Sequence, residues 1–174
     1  MIVLNGGSSS GKSSIARGLQ SLLPHLWLTL GIDTLLEAMP LPSSGHDPGL
    51  TFAPTGEIAV DDSFRELETA WYQGIATMAR AGARVIVDDV FLGGADSQAR
   101  LESALEGLDV LWVGVHCDPE VATAREVGRS LRIAGMATRQ AETVHRGVRY
   151  DIEVDTTNAP TLDCARAIAA RVAL

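Results

Sequence analysis

Met1-Ile2-Val3-Leu4-Asn5-Gly6-Gly7-Ser8-Ser9-Ser10-Gly11-Lys12-Ser13 opens the chain and decides the fold. Residues 6–13 fit the pattern G-x-x-x-x-G-K-[ST]. An apolar run, Ile2 to Leu4, precedes it, and Ile15, Leu19 and Leu22 follow at helical spacing. A strand passing through a glycine-rich turn into a helix is the context in which this pattern holds nucleotide phosphates. Gly6 and Gly11 let the backbone bend where a side chain would meet phosphate. The amides of Gly7, Ser8, Ser9 and Ser10 then form a concave nest for anions. The following helix, from Lys12 through Ser14, adds the positive end of its dipole. Lys12 reaches the β- and γ-phosphates, and the Ser13 hydroxyl suits Mg²⁺. The plain alternative is a serine- and glycine-rich turn before an ordinary helix.

Working outward, apolar runs alternate with helical patterns along the rest of the chain, which predicts an α/β fold: a doubly wound, five-stranded parallel sheet. The strands are expected at 2–4, 27–30, 84–90, 110–116 and 152–154. Helices are expected at 12–23, 33–38, 64–81, 95–106, 119–129, 139–146 and 161–172. Pro119 at a helix start and Gly82 after a helix end are the punctuation such elements need. Pro40 to Asp62 breaks the rhythm with several Pro and Gly residues and few apolar ones. It reads as a long loop, with a small hairpin near Ile58 to Val60. In this fold class such a loop hangs over the carboxyl edge of the sheet, or is a plain surface insertion.

The 174 residues suit one domain, 1–174, with a full core. With 46% hydrophobic and 21% charged residues the composition is globular. The net charge of −8 argues against a general nucleic-acid or anionic-membrane surface. No apolar run approaches the roughly 20 residues needed to cross a bilayer, and no signal peptide is visible. Cys117 and Cys164 read as small core residues, and none of the four histidines has metal-ligand spacing. His145 reads as a satisfied helix residue. A cytoplasmic enzyme is the simplest class.

Several residues outside the phosphate loop carry chemistry. Val85-Ile86-Val87-Asp88-Asp89 is a buried strand ending in carboxylates, and such an acid supports Mg²⁺ beside a phosphate loop. Asp88 is the candidate on the metal and substrate side; Asp89 is the alternative, or caps the next turn. Asp33, after the second strand, faces the γ-phosphate as a base for an acceptor hydroxyl, or caps a helix. Arg125, Arg129 and Arg132 share one helical face. That face either clamps phosphate oxygens or pairs in solvent with Glu120 and Glu126. Residues 130–135 read as a lid hinge within a lid around 125–138. Trp71 and Phe91 either wall an aromatic acceptor or belong to the core.

Taken together, residues 4–13, 31–40 (GIDTLLEAMP), 79–94 (ARAGARVIVDDVFLGG), 108–115 (LDVLWVGV) and 150–157 (YDIEVDTT) are more specific than the loop alone. The chain resembles the chloramphenicol phosphotransferases of actinomycetes, in the shikimate-kinase-like branch of the phosphate-loop kinases, over nearly its full length. The resemblance implies a P-loop kinase fold with a helical lid. It also implies an ATP-dependent enzyme that phosphorylates a primary hydroxyl of chloramphenicol and so inactivates the antibiotic. By resemblance Asp33 is the general base, and Arg129 and Arg132 lie in the lid over the phosphates. One departure stands out: the family's lid tends to read Arg-Gly-Asp-Arg, whereas this chain has Arg129-Ser130-Leu131-Arg132.

The expectation is therefore a small-molecule O-kinase with a chloramphenicol-like acceptor. Lys12 neutralises phosphate, Ser13 and Asp88 hold Mg²⁺, Asp33 aligns and deprotonates the hydroxyl, and Arg132 with Arg129 stabilises the transferred group. Two alternatives stay open. One is the same fold acting on another acceptor, such as a sugar, nucleoside or different antibiotic. The other is a nucleotide-dependent regulatory switch with no small-molecule acceptor.

Overall fold

Strand β1 (Ile2–Asn5) is buried along its whole length, which requires apolar cover on both faces. The computed structural model describes residues 1–40, 47–53, 57–127 and 136–172. The other elements follow in chain order as α1 (Lys12–Leu22), β2 (Trp27–Gly31), α2 (Ile32–Ala38), β3 (Leu50–Phe52), β4 (Ile58–Val60), α3 (Asp62–Arg80), β5 (Arg84–Asp89), α4 (Ala95–Ala104), β6 (Leu111–His116), α5 (Pro119–Val127), α6 (Met136–Thr143), β7 (Ile152–Asp155) and α7 (Thr161–Ala169). Five strands form one sheet in the order β2-β5-β1-β6-β7, parallel at every pairing. This is the doubly wound α/β sheet that the alternating pattern predicts.

The alternation of side chains along each strand sorts the core into two layers. Ile2 and Leu4 of β1 join Ile86 of β5 and Val113 and Val115 of β6 beneath α1 and α7, against Ile15, Leu19 and Ile168. Val3 joins Val85 and Val87 on the opposite face, against Tyr72, Ile75, Phe91 and Leu101.

Helix boundaries differ from expectation where polar chemistry overrides hydrophobic period. α3 begins at Asp62 rather than Phe64, because the Asp61 side chain accepts from the Phe64 amide at 2.9 Å and caps the helix. α6 runs from Met136 rather than Arg139 and ends at Thr143. The chain then turns, with Gly147 at φ +68°. Within the 40–62 region, β4 lies where a hairpin is expected, and its antiparallel partner is β3. Residues 41–46 and 54–56 of that region, and 128–135 of the expected lid, lie outside the described residues. Among the described residues no helix is long and apolar enough to cross a membrane.

Candidate active site at the phosphate loop

The loop leaves β1 at Asn5 and enters α1 at Lys12. Gly11 takes φ +93°, a conformation open to glycine, and forms the N-cap of α1 with no side-chain cap. Ser9 also lies in the left-handed region, at φ +59°. For a non-glycine residue that geometry costs on the order of 1 kcal/mol or more, and it persists only where the surroundings impose it. Ser8, Ser9, Ser10 and Lys12 are all buried. The Ser9 and Ser10 hydroxyls are buried without a protein partner. Unpartnered buried hydroxyls beside the buried Lys12 ammonium fit a polyanion that supplies the missing acceptors. Ser14, one residue on, is exposed.

Carboxylates meet this loop from the neighbouring strand. The Ser13 hydroxyl donates to Asp88 Oδ2 at 2.8 Å, and Lys12 Nζ lies 3.9 Å from Asp88 Oδ1. Lys12 also donates to the Gly7 carbonyl at 3.0 Å. Asp88 and Asp89 point to opposite faces of β5, as consecutive strand residues must. Asp88 turns toward α1. Asp89 turns toward α3, where it accepts from the Tyr72 hydroxyl at 2.8 Å and from the Val90 amide at 2.7 Å. Burial pushes the Asp89 carboxyl up to about 6, against the pull of the Tyr72 hydrogen bond. Glu68 lies near it, joined to Arg65 at 2.8 Å and to Arg100 at 3.5 Å.

Asp33 stands in the first turn of α2, exposed, two residues beyond Gly31. Gly31 pairs in register with Asp88, and its Cα lies so close to the Asp88 carbonyl that a Cβ has no room. The N-cap of α2 is Gly31, with no side-chain cap bond, so Asp33 does not cap the helix.

Other expected site residues fall elsewhere. Phe91 is fully buried and tilts against Trp112 with ring centroids 6.3 Å apart. It is core and cannot wall an acceptor, which corrects that expectation. Trp71 packs against the same apolar cluster, half-buried, with its indole Nε1 buried and unpartnered. Arg125 neither faces the loop phosphates nor pairs with Glu120 and Glu126. It donates to Thr156 Oγ1 at 3.1 Å, the Thr156 carbonyl at 2.8 Å and Cys117 Sγ at 3.3 Å. Glu126 is buried and accepts from the Ala137 amide at 3.2 Å. Arg129, Leu131 and Arg132 lie outside the described residues.

Three contacts at the loop had no sequence signal. Thr156, fully buried, donates to the Ser10 carbonyl at 2.7 Å. Gln140 accepts from the Ser8 amide at 2.8 Å. Asn5 ties β1 to the turn after α6 and to the Phe91 amide. Asn5 and Thr156 lie in segments that carry the family resemblance, but nothing in the residue pattern assigns any of the three its contact. His145 stacks on His116 with centroids 4.0 Å apart, and burial together with that neighbour pulls its pKa down to about 4.

The comparisons agree with this geometry. The family model described as chloramphenicol phosphotransferase-like protein matches residues 1–173. A curated Mycobacterium tuberculosis protein, provisionally named an O-phosphotransferase, is 33% identical over 181 residues, covering 95% of this chain and 79% of its own. Among solved structures, a sugar kinase from Janibacter sp. HTCC2649 superposes with a TM-score of 0.65 at 19% identity, covering 95% of this chain and 90% of that one. Shikimate kinase from Acinetobacter baumannii gives 0.57 at 18%, covering 96% and 89%. The tunicamycin resistance protein of Deinococcus radiodurans gives 0.63 at 20%, covering 98% and 93%. At these identities the structures show the fold. The family match and the curated relative show more: the chain belongs to the chloramphenicol phosphotransferase-like family and is a P-loop small-molecule kinase.

Proposed function

We propose that the chain transfers the terminal phosphoryl group of ATP to a primary hydroxyl of chloramphenicol or a closely related small molecule, inactivating an antibiotic. The observation that carries this reading is the cluster of Lys12, Ser13 and Asp88 on one side of the phosphate loop, with Asp33 one short step along the sheet edge. The loop amides and the start of α1 hold the phosphates, and the buried Lys12 ammonium offsets their charge. Ser13 and Asp88 are hard oxygen donors 2.8 Å apart, the chemistry Mg²⁺ prefers, and the ion would neutralise charge between the phosphates. Asp33 lines up the acceptor hydroxyl and takes its proton as that oxygen bonds to phosphorus and the bond to ADP breaks. With a loose transition state, alignment supplies much of the catalysis. By family resemblance Arg129 and Arg132 stabilise the transferred group.

An ADP-release assay with MgATP and chloramphenicol tests the reading. Turnover that depends on chloramphenicol and collapses in Asp33→Asn is expected. Absence of chloramphenicol-dependent turnover would remove this acceptor. One feature favours a related acceptor instead: Leu131 replaces the acid of the family's lid sequence. A screen of sugars, nucleosides and other hydroxyl-bearing antibiotics then decides.

A further inference from the structure

α6 and the turn behind it meet the phosphate loop and the strand end before it at three points, through residues outside the motif. The Gln140 side-chain oxygen, in a residue 4% exposed, accepts from the Ser8 amide at 2.8 Å. The backbone of Gln140 and Ala141 packs so closely on Gly7 that an added Cβ would stand 3.3 Å from it. Asn5, 1% exposed and immediately before Gly6, is hydrogen-bonded through every polar position of its amide. Its Nδ2 donates to the Val144 carbonyl at 2.8 Å and to the Tyr150 hydroxyl at 2.6 Å, and its Oδ1 accepts from Phe91 at 2.9 Å.

The polarity of this chain follows from chemistry. Asn5 Nδ2 only donates, so the Tyr150 oxygen accepts there and its own proton goes elsewhere. His145 Nδ1, 2.6 Å away, is the acceptor within reach in the tautomer protonated at Nε2. Hydrogen bonds are then donated from Asn5 to Tyr150 and from Tyr150 to His145, and a network in which each member is satisfied is rigid.

We propose that this assembly is a brace that sets the phosphate loop for the polyphosphate tail, with Gln140 and Tyr150 as its positioning residues. The proposal rests on the reading that the loop binds ATP. Neither residue needs to touch the nucleotide. Gln140 fixes where the first half of the loop lies, and Tyr150 fixes Asn5, the point from which the loop departs. The contacts fall on residues 5, 7 and 8, so the brace acts through the phosphate loop.

The test is calorimetric binding of MgADP and of AMP to wild type, Gln140→Leu and Tyr150→Phe at neutral pH. At nearly constant volume, Gln140→Leu deletes the bond to the Ser8 amide and Tyr150→Phe the two bonds of its hydroxyl, of which the one from Asn5 bears on the loop. Each is expected to weaken MgADP about tenfold, the scale of one lost buried hydrogen bond. AMP, which lacks the β-phosphate, is expected to change less than about twofold, so the ratio of the two affinities falls. The Ser8 amide proton resonance of ¹⁵N-labelled protein is expected to move upfield in Gln140→Leu. If that variant does not fold, Gln140→Met reads the same quantities. Unchanged MgADP affinity in both variants overturns the brace, as does a parallel loss of MgADP and AMP with a falling Tm. Failure of the wild type to bind MgADP overturns the nucleotide reading, and the brace with it.

Discussion

Asp88 and Asp89 illustrate what one residue of strand register decides. Both end the same apolar run, and composition treats them alike. The two-residue period of the strand sends Asp88 to Ser13 and Lys12 and Asp89 to Tyr72. Which parity faces α1 depends on how β5 is laid beside β1, a tertiary fact. The proposed roles give distinct outcomes. Asp33→Asn is expected to lower kcat about a hundredfold or more, the usual range for loss of a general base, while MgADP affinity stays the same. If Asp33 merely holds the hydroxyl in line, Asn retains that hydrogen bond and the loss shrinks to about tenfold, so the size of the drop separates base from orienter. Ser13→Ala and Asp88→Asn are expected to raise the Mg²⁺ concentration needed for half-maximal rate several-fold, read from a metal titration at fixed ATP. A Mg²⁺ dependence identical to wild type would detach both residues from the metal.

At the scale of elements, the strand–loop–helix start was legible because its residue types are dictated by phosphate geometry. The two-layer core was legible because Ile2 to Leu4 of β1 and Val85 to Val87 of β5 are uninterrupted apolar runs. α6 was placed too late, and its contacts with the loop were missed, since a Gln reaching a backbone amide leaves no periodic trace. Phe91 stays open between core and acceptor wall in the sequence because an aromatic at a strand end reads the same whether it meets solvent, ligand or the ring of Trp112. The β3–β4 hairpin also has a reach that sequence does not show. Glu57, beside β4, lies 3.7 Å from Arg139 on α6. Both side chains are more than half exposed, so Glu57→Ala is expected to change stability by less than about 1 kcal/mol. An effect on acceptor KM with nucleotide KM unchanged would tie the hairpin to the acceptor side. Close packing makes a sharper prediction at the β2–α2 junction. Gly31→Ala places a methyl against the Asp88 carbonyl and is expected to lower Tm sharply, whereas Gly74→Ala, with open space around it, is not. In the core, Ile15→Ala is expected to cost about 2–5 kcal/mol by urea denaturation.

Two buried groups give the whole molecule opposed pH dependences: Asp89, pushed up to about 6 by burial, adds stability as pH falls from about 6 toward its ordinary value, and His145 removes it. In the unfolded chain this group has its ordinary value of 6.5, whereas burial, then His116, holds it near 4 in the folded protein. Between those values the unfolded chain binds a proton that folded His145 refuses, so the His145 contribution to stability falls as pH is lowered from about 6.5 toward 4. Above 6.5 this contribution is complete. His145→Asn is expected to flatten that acid slope relative to wild type in thermal melts across the window, and an unchanged slope would place the pH dependence elsewhere. Fold, loop and family agree on a kinase; the acceptor is where sequence and geometry are least constraining, because fold does not fix substrate. The most direct measurement of the central claim is mass spectrometry of chloramphenicol incubated with MgATP and either wild type or Asp33→Asn. A product heavier by one phosphoryl group on the primary hydroxyl, formed by wild type and nearly absent with the variant, is the predicted result. No phosphorylated product from wild type, or equal yields from both proteins, would contradict it.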